Sequence, residues 1–188
     1  KLLAFFPAVA FPATNLRKHP VSKLSYDPKY MECLFSLELP RGDVEFYMIP
    51  AFTSDWYSAP ECDIALSAIG YNLQPLVQTT ISVTVPDGKL VDVHIDNSLR
   101  VLTRSAYGER DDVEFVAQIQ KVKKVKFLNT SLWLLTLSFD ERVYNLRLPM
   151  LINCSNVQKG YIPKIGDVVN GVAWLQGRLV NNEDEIND

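Results

Sequence analysis

The sequence predicts a mainly β protein built from antiparallel hairpins, with few and short helices. Three observations carry that expectation. Apolar and polar residues alternate over several short segments, no long run repeats at the 3.6-residue period of a helix, and turn-forming residues punctuate the alternating segments.

Composition agrees with a packed, soluble fold. Of 188 residues, 47% are hydrophobic and 22% charged, whereas a disordered chain has fewer apolar residues and a larger net charge. No apolar run reaches the ~18 residues that span a bilayer, so no membrane partner is expected.

The elements follow in order. Residues Lys1 to Phe11 are apolar but interrupted by Pro7, with Pro12 close behind. They read as a buried first strand in preference to a secretory leader. The chain opens on Lys1, so its true N-terminus is expected upstream, and the expected location is cytoplasmic. His19, between Lys18 and Pro20, reads as part of a loop.

Next, Met31, Cys33, Phe35, Leu37 and Leu39 alternate with Glu32, Ser36 and Glu38, and only Leu34 interrupts the polar side. Side chains alternate across a strand, so one face meets a core and the other meets water. Pro40-Arg41-Gly42-Asp43 supplies a turn, and Val44, Phe46 and Met48 continue as the second strand of a hairpin. The following loop carries Phe52, Trp56 and Tyr57 around Asp55. Exposed, such rings form a contact point for a partner; folded back, they cap the end of a β core.

Cys62 to Val77 contains Ile64, Leu66, Ile69, Tyr71 and Leu73, and its pattern fits either a buried strand or a short helix. Thr80–Val85 and Leu90–Ile95 alternate cleanly around Pro86-Asp87-Gly88-Lys89, where Asp-Gly suits the positive φ angles of a tight hairpin. Asn97 to Asp112 is polar and reads as the boundary between two β units. Beyond it come strands at Val113–Lys126, Leu132–Phe139 and Val143–Leu148, the last two joined by Asp140-Glu141-Arg142. Pro149 to Pro163 is looser, with room for one helical turn, and a final strand runs from Val168 to Val180. The expected organisation is an N-terminal β unit over residues 1–110, a C-terminal barrel-like unit over 111–180 and an acidic mobile tail over 181–188.

Charge follows the same division. Residues 1–112 hold 10 Lys/Arg and 14 Asp/Glu, a net of −4. Residues 113–180 hold 9 and 4, a net of +5, and the tail carries −4. A whole-chain charge of −3 argues against coating nucleic acid with the entire surface. Cys33, Cys62 and Cys154 are far apart and odd in number, which gives neither a disulfide framework nor a zinc site. They read as buried thiols in a reducing compartment.

The closing segment, Pro163-Lys164-Ile165-Gly166-Asp167-Val168-Val169-Asn170-Gly171-Val172-Ala173-Trp174-Leu175-Gln176-Gly177-Arg178-Leu179, pairs a Gly-Asp turn with a strand bearing two further glycines. Together with the meandering strands before it, this resembles an OB-fold-like small β-barrel, in which glycines mark sharp strand bends. The layout with its Trp-Leu-x-Gly ending also resembles uncharacterised bacterial proteins. The resemblance covers about a third of the chain and implies architecture without chemistry.

Three groups of residues carry candidate functions. Lys121, Lys123, Lys124 and Lys126, with Trp133 nearby, have the cations and the ring from which OB barrels build single-strand sites. The same lysines suit an edge strand guarded against pairing with another sheet. Asp92, His94 and Asp96 share one strand face by their spacing, as a metal site or an acid/base hydrolytic enzyme would use them. They also suit the wet face of an amphipathic hairpin. Phe52, Trp56 and Tyr57 are the partner-contact candidates. Nucleotide loops, zinc-protease motifs and a G-x-S-x-G elbow around Ser67 are absent, and no cofactor signature is present. The expected function is therefore non-catalytic binding of an unknown protein or small ligand. Single-stranded nucleic acid is the first alternative and a hydrolytic enzyme the second.

Overall fold

The computed structural model describes residues 16–27, 32–39, 42–48, 61–77, 79–84, 90–95, 100–139 and 146–180. Among them the chain is mainly β, with one 3-10 turn at Cys154–Asn156. The strands are β1 (Leu16–Asp27), β2 (Glu32–Leu39), β3 (Gly42–Met48), β4 (Glu61–Pro75), β5 (Thr79–Thr84), β6 (Leu90–Ile95), β7 (Val101–Arg104), β8 (Asp112–Phe127), β9 (Thr130–Ser138), β10 (Arg147–Asn153) and β11 (Val168–Val180). No helix among the described residues is long and apolar enough to cross a membrane.

The alternation read from the sequence builds the β2–β3 hairpin, with Leu39 opposite Gly42 and Cys33 opposite Met48. Cys33, Phe35, Leu37, Val44 and Phe46 all face the core. Leu34 is buried as well, on the opposite face, so the outer side of β2 is not wholly wet. β5 and β6 pair as their Asp-Gly turn predicts, and form a two-stranded sheet apart from the rest. The final strand starts where expected. Gly166 adopts φ +92°, which a glycine tolerates without strain. The Asp167 carboxylate accepts the Tyr161 hydroxyl at 2.7 Å and the Lys164 amide at 3.0 Å, fixing the turn into β11. Burial, reinforced by the hydrogen bond to Asp167, pushes the Tyr161 phenol well above its ordinary range.

The other nine strands form one sheet in the order β1-β2-β3-β11-β4-β10-β9-β8-β7, with further pairings β1–β4 and β11–β8. Those two extra pairings close two circuits. One runs β1–β2–β3–β11–β4 and back to β1; the other runs β8–β9–β10–β4–β11 and back to β8. The long strands β4 and β11 belong to both, paired antiparallel from Asp63–Val180 to Pro75–Val169. Segments 1–110 and 111–180 therefore share one hydrogen-bonded sheet, since β11 lies between β3 and β4.

The connectivity is palindromic. Exchanging β1, β2, β3 and β4 for β8, β9, β10 and β11 reproduces the strand order in reverse, and β7 is left over. Glycines mark equivalent places in this exchange. A Cβ on Gly70 of β4 would meet Ile152 of β10, and one on Gly177 of β11 would meet Phe46 of β3. Each glycine lets a bulky residue of a third strand lie against the backbone of a shared strand.

Several expectations are corrected. The ambiguous Cys62–Val77 segment is a strand of 15 residues, β4. Ile64, Ala65, Leu66, Ser67 and Ala68 are all fully buried because both faces of β4 are covered, which erases the alternation. His19 lies on β1, opposite Cys62, rather than in a loop. The polar stretch before Asp112 holds the short edge strand β7, which pairs with β8. Of the strand expected at Val143–Leu148, Arg147 and Leu148 lie on β10, which runs on through Pro149 to Asn153, while residues 143–145 lie outside the described residues. Pro149 is tolerated because pairing with β4 begins only at the next residue, Met150. Cys33 is buried and Cys154 is half-buried. The opening segment, the loop of Phe52, Trp56 and Tyr57, and the tail 181–188 lie outside the described residues.

Candidate functional site

The β8–β9 hairpin brings the sequence's basic residues to one projecting ribbon. The first half of β8, from Asp112 to Gln118, pairs with β11. Past Gln120, the extra residue of a bulge, β8 pairs with β9 alone among the described strands. The outer half of β8 thus has one open edge. Lys121, Lys123, Lys124 and Lys126 are all exposed there.

Alternation past the bulge distributes them over both faces. Lys121, Lys123 and Phe127 share one face, while Lys124 and Lys126 share the other with Trp133, which lies opposite Lys124. The two rings are not equivalent. Trp133 is half-buried against the core, and the Lys124 ammonium sits 5.5 Å from its ring centre. Phe127 is 66% exposed and the neighbouring tip residue Leu128 is 82% exposed. Leu128 also adopts φ +52°, a left-handed conformation that costs a non-glycine residue roughly 1–2 kcal/mol. The exposed ring is therefore Phe127, and Trp133 presents a face already covered by a cation.

Behind this hairpin, the β7–β8 connection is tied down by charge. Glu45 of β3 is buried, and its carboxylate accepts Arg110 Nε at 2.7 Å and a terminal Arg110 nitrogen at 3.2 Å. Arg104 approaches the same group at 3.6 Å. A planar two-pronged donor matches a carboxylate better than an ammonium does. Arg110→Ala is accordingly expected to lower the urea midpoint, and Arg110→Lys to lower it less. Equal midpoints for Arg110→Ala and the parent would exclude this clamp.

Asp111 and Asp112 are also buried. Asp111 accepts the Trp174 indole N–H, and an Asp112 oxygen accepts the Glu109 amide at 2.8 Å. Burial pushes the Asp111 carboxyl above its usual range, and the Trp174 hydrogen bond only partly opposes that. A carboxyl with a raised folded-state pKa favours folding while protonated, and loses that contribution as pH rises through its folded value. Asp111→Asn is therefore expected to raise the urea midpoint at neutral pH, with the gain vanishing below about pH 4. A neutral-pH midpoint no higher than the parent's would refute it. Tyr71 stands out as the extra residue of a bulge in β4, since Val172 pairs with Asn72 but Ala173 with Gly70. Its phenol is held well above the ordinary range by desolvation first and by Asp112 second.

The remaining candidates lie wholly or partly outside the described residues. Asp92 and His94 lie on β6, opposite Ser82 and Thr80 in register, and their side chains lie outside the described residues, as does all of Asp96. Among the described residues no group of three or more His, Cys, Asp or Glu is placed to hold a metal. Ser67 is fully buried within β4. Glu45, Arg110 and Tyr71 carried no sequence signal, because each gains its role from a strand far away in the chain. No protein-family model, curated protein or solved structure matches this chain.

Proposed function

We propose that this protein is a non-catalytic binding module that takes single-stranded nucleic acid on the outer half of the β8–β9 hairpin. One observation carries the reading: four exposed lysines lie within six residues, next to an exposed aromatic ring at the hairpin tip. Lysines neutralise phosphates and release counterions, and a ring face stacks on any base. The circuit β8–β9–β10–β4–β11, three meandering strands closed by two others, supports the reading, because OB barrels that bind oligonucleotides are also built from five strands.

Lysines along an open edge also discourage pairing with another sheet. Ionic strength separates the two roles. Anisotropy of a labelled oligothymidylate should show affinity falling with salt, with a slope of about −0.7 per phosphate neutralised. No binding at low salt, or binding indifferent to salt, would sink the nucleic-acid reading and leave the lysines as edge guards.

A further inference from the structure

A second surface lies away from the hairpin's outer half. The strands β4, β11, β8 and β7 run side by side, and their outer face carries an open groove of about 450 Å³. Registers across the four strands place its side chains in two rows. Asn72, Val172, Glu114 and Thr103 make the first row. Gln74, Asn170, Val116 and Val101 make the second. One wall is β7, the strand with no counterpart in the palindromic order among the described strands.

The chemistry of the groove is unusual for a bare sheet face. It offers three carboxamides, one hydroxyl and one carboxylate, set among valines. Asn72 Oδ1 already accepts the Val172 amide at 3.0 Å. Glu114 accepts the Ser105 hydroxyl at 2.9 Å through one oxygen. Asn170 Oδ1 is buried and has no hydrogen-bond donor among the described residues. A buried acceptor left unmet is costly, and the Asn170 carboxamide that carries it stands half-buried in the groove wall.

We infer that this groove binds a neutral, hydroxyl-rich small molecule of the saccharide class. Among the described residues no Lys or Arg lines it and Glu114 is its single charge, so a phosphorylated or carboxylated ligand meets repulsion without compensation there. Phe115, its one aromatic residue among those described, is 3% exposed, so it offers a planar base no ring to stack on. A sugar ring fits what remains. Its C–H face lies on the valines, and its hydroxyls donate to the second oxygen of Glu114 and accept from the carboxamide N–H groups. The volume falls within the ~300–1,000 Å³ usual for small-molecule sites.

The inference is independent of the hairpin reading, and one experiment keeps them apart. The full chain, labelled with 15N, is titrated with neutral trisaccharides (maltotriose, cellotriose, chitotriose and mannotriose). At least one should shift amides of residues 72–74, 101–103, 114–116 and 170–172, and the binding should not change as salt is raised. Glu114→Gln and Asn170→Ala should each weaken it about tenfold, the equivalent of one well-made hydrogen bond to a buried or charged partner. Gln74→Ala, at an exposed position, provides a further variant should Asn170→Ala fail to fold. Silence from all four sugars, equal affinity in the folded variants, or a response in the groove only to an anionic nucleotide would overturn the assignment.

Discussion

Gly177→Ala is expected to destabilise the protein by about 3 kcal/mol, the upper end of the usual cost of forcing an extra carbon into a packed core. The added Cβ would come within 2.3 Å and 2.4 Å of two ring carbons of Phe46. That ring has nowhere to go, because Phe46 is fully buried and stacks on Phe35 with ring centres 5.7 Å apart. The backbone cannot give either, since β11 is paired with β4 along this stretch. Gly70 makes an informative contrast. Its nearest neighbour would be Ile152 Cδ1 at 2.9 Å, the movable end of an aliphatic side chain. Gly70→Ala should therefore cost only about 1 kcal/mol. Urea unfolding of both variants checks the ranking. Trimming Phe46 to leucine in the Gly177→Ala background should recover part of the loss, because residues in contact are not additive. A Gly177→Ala midpoint equal to the parent's would mean that β3 and β11 do not meet as described.

The second large effect concerns the hairpin. Four phosphate contacts to a single strand imply a salt slope near −2.8, so affinity should fall about fiftyfold between ~50 and ~200 mM salt. Carried to ~1 M, where counterion release contributes nothing, the same slope assigns roughly three and a half orders of magnitude of affinity at ~50 mM to the lysines. Converting Lys121, Lys123, Lys124 and Lys126 together to glutamine should remove most of that and flatten the salt dependence. Converting them to glutamate should abolish binding while still guarding the open edge with charge. If the glutamine variant binds like the parent, the nucleic acid lies elsewhere. If it only aggregates while the glutamate variant stays monomeric and retains affinity, edge protection is the whole role of these residues.

What the sequence made legible was local. The β2–β3 hairpin follows from alternation, the β5–β6 hairpin from Asp-Gly, and the start of β11 from Gly166-Asp167. Failures came where tertiary contacts overrode local pattern. β4 reads ambiguously because both its faces are covered, and β7 is only four residues long. Pro149 looks like the end of a strand, yet it precedes the first residue of β10 to pair with β4. The sharing of β4 and β11 between two circuits joins residues about a hundred positions apart, as Asn72 and Val172 illustrate, and periodicity carries no information at that range. The site divides in the same way. The lysines are visible as a run, whereas the exposure of Phe127 and the covering of Trp133 depend on where the hairpin leaves the sheet.

The most direct test of the binding account is an amide chemical-shift map of the full chain during titration with oligothymidylate at low ionic strength. Perturbations should centre on residues 121–133 and collapse when salt is added. Shifts centred away from the β8–β9 hairpin, or none at all, would contradict it.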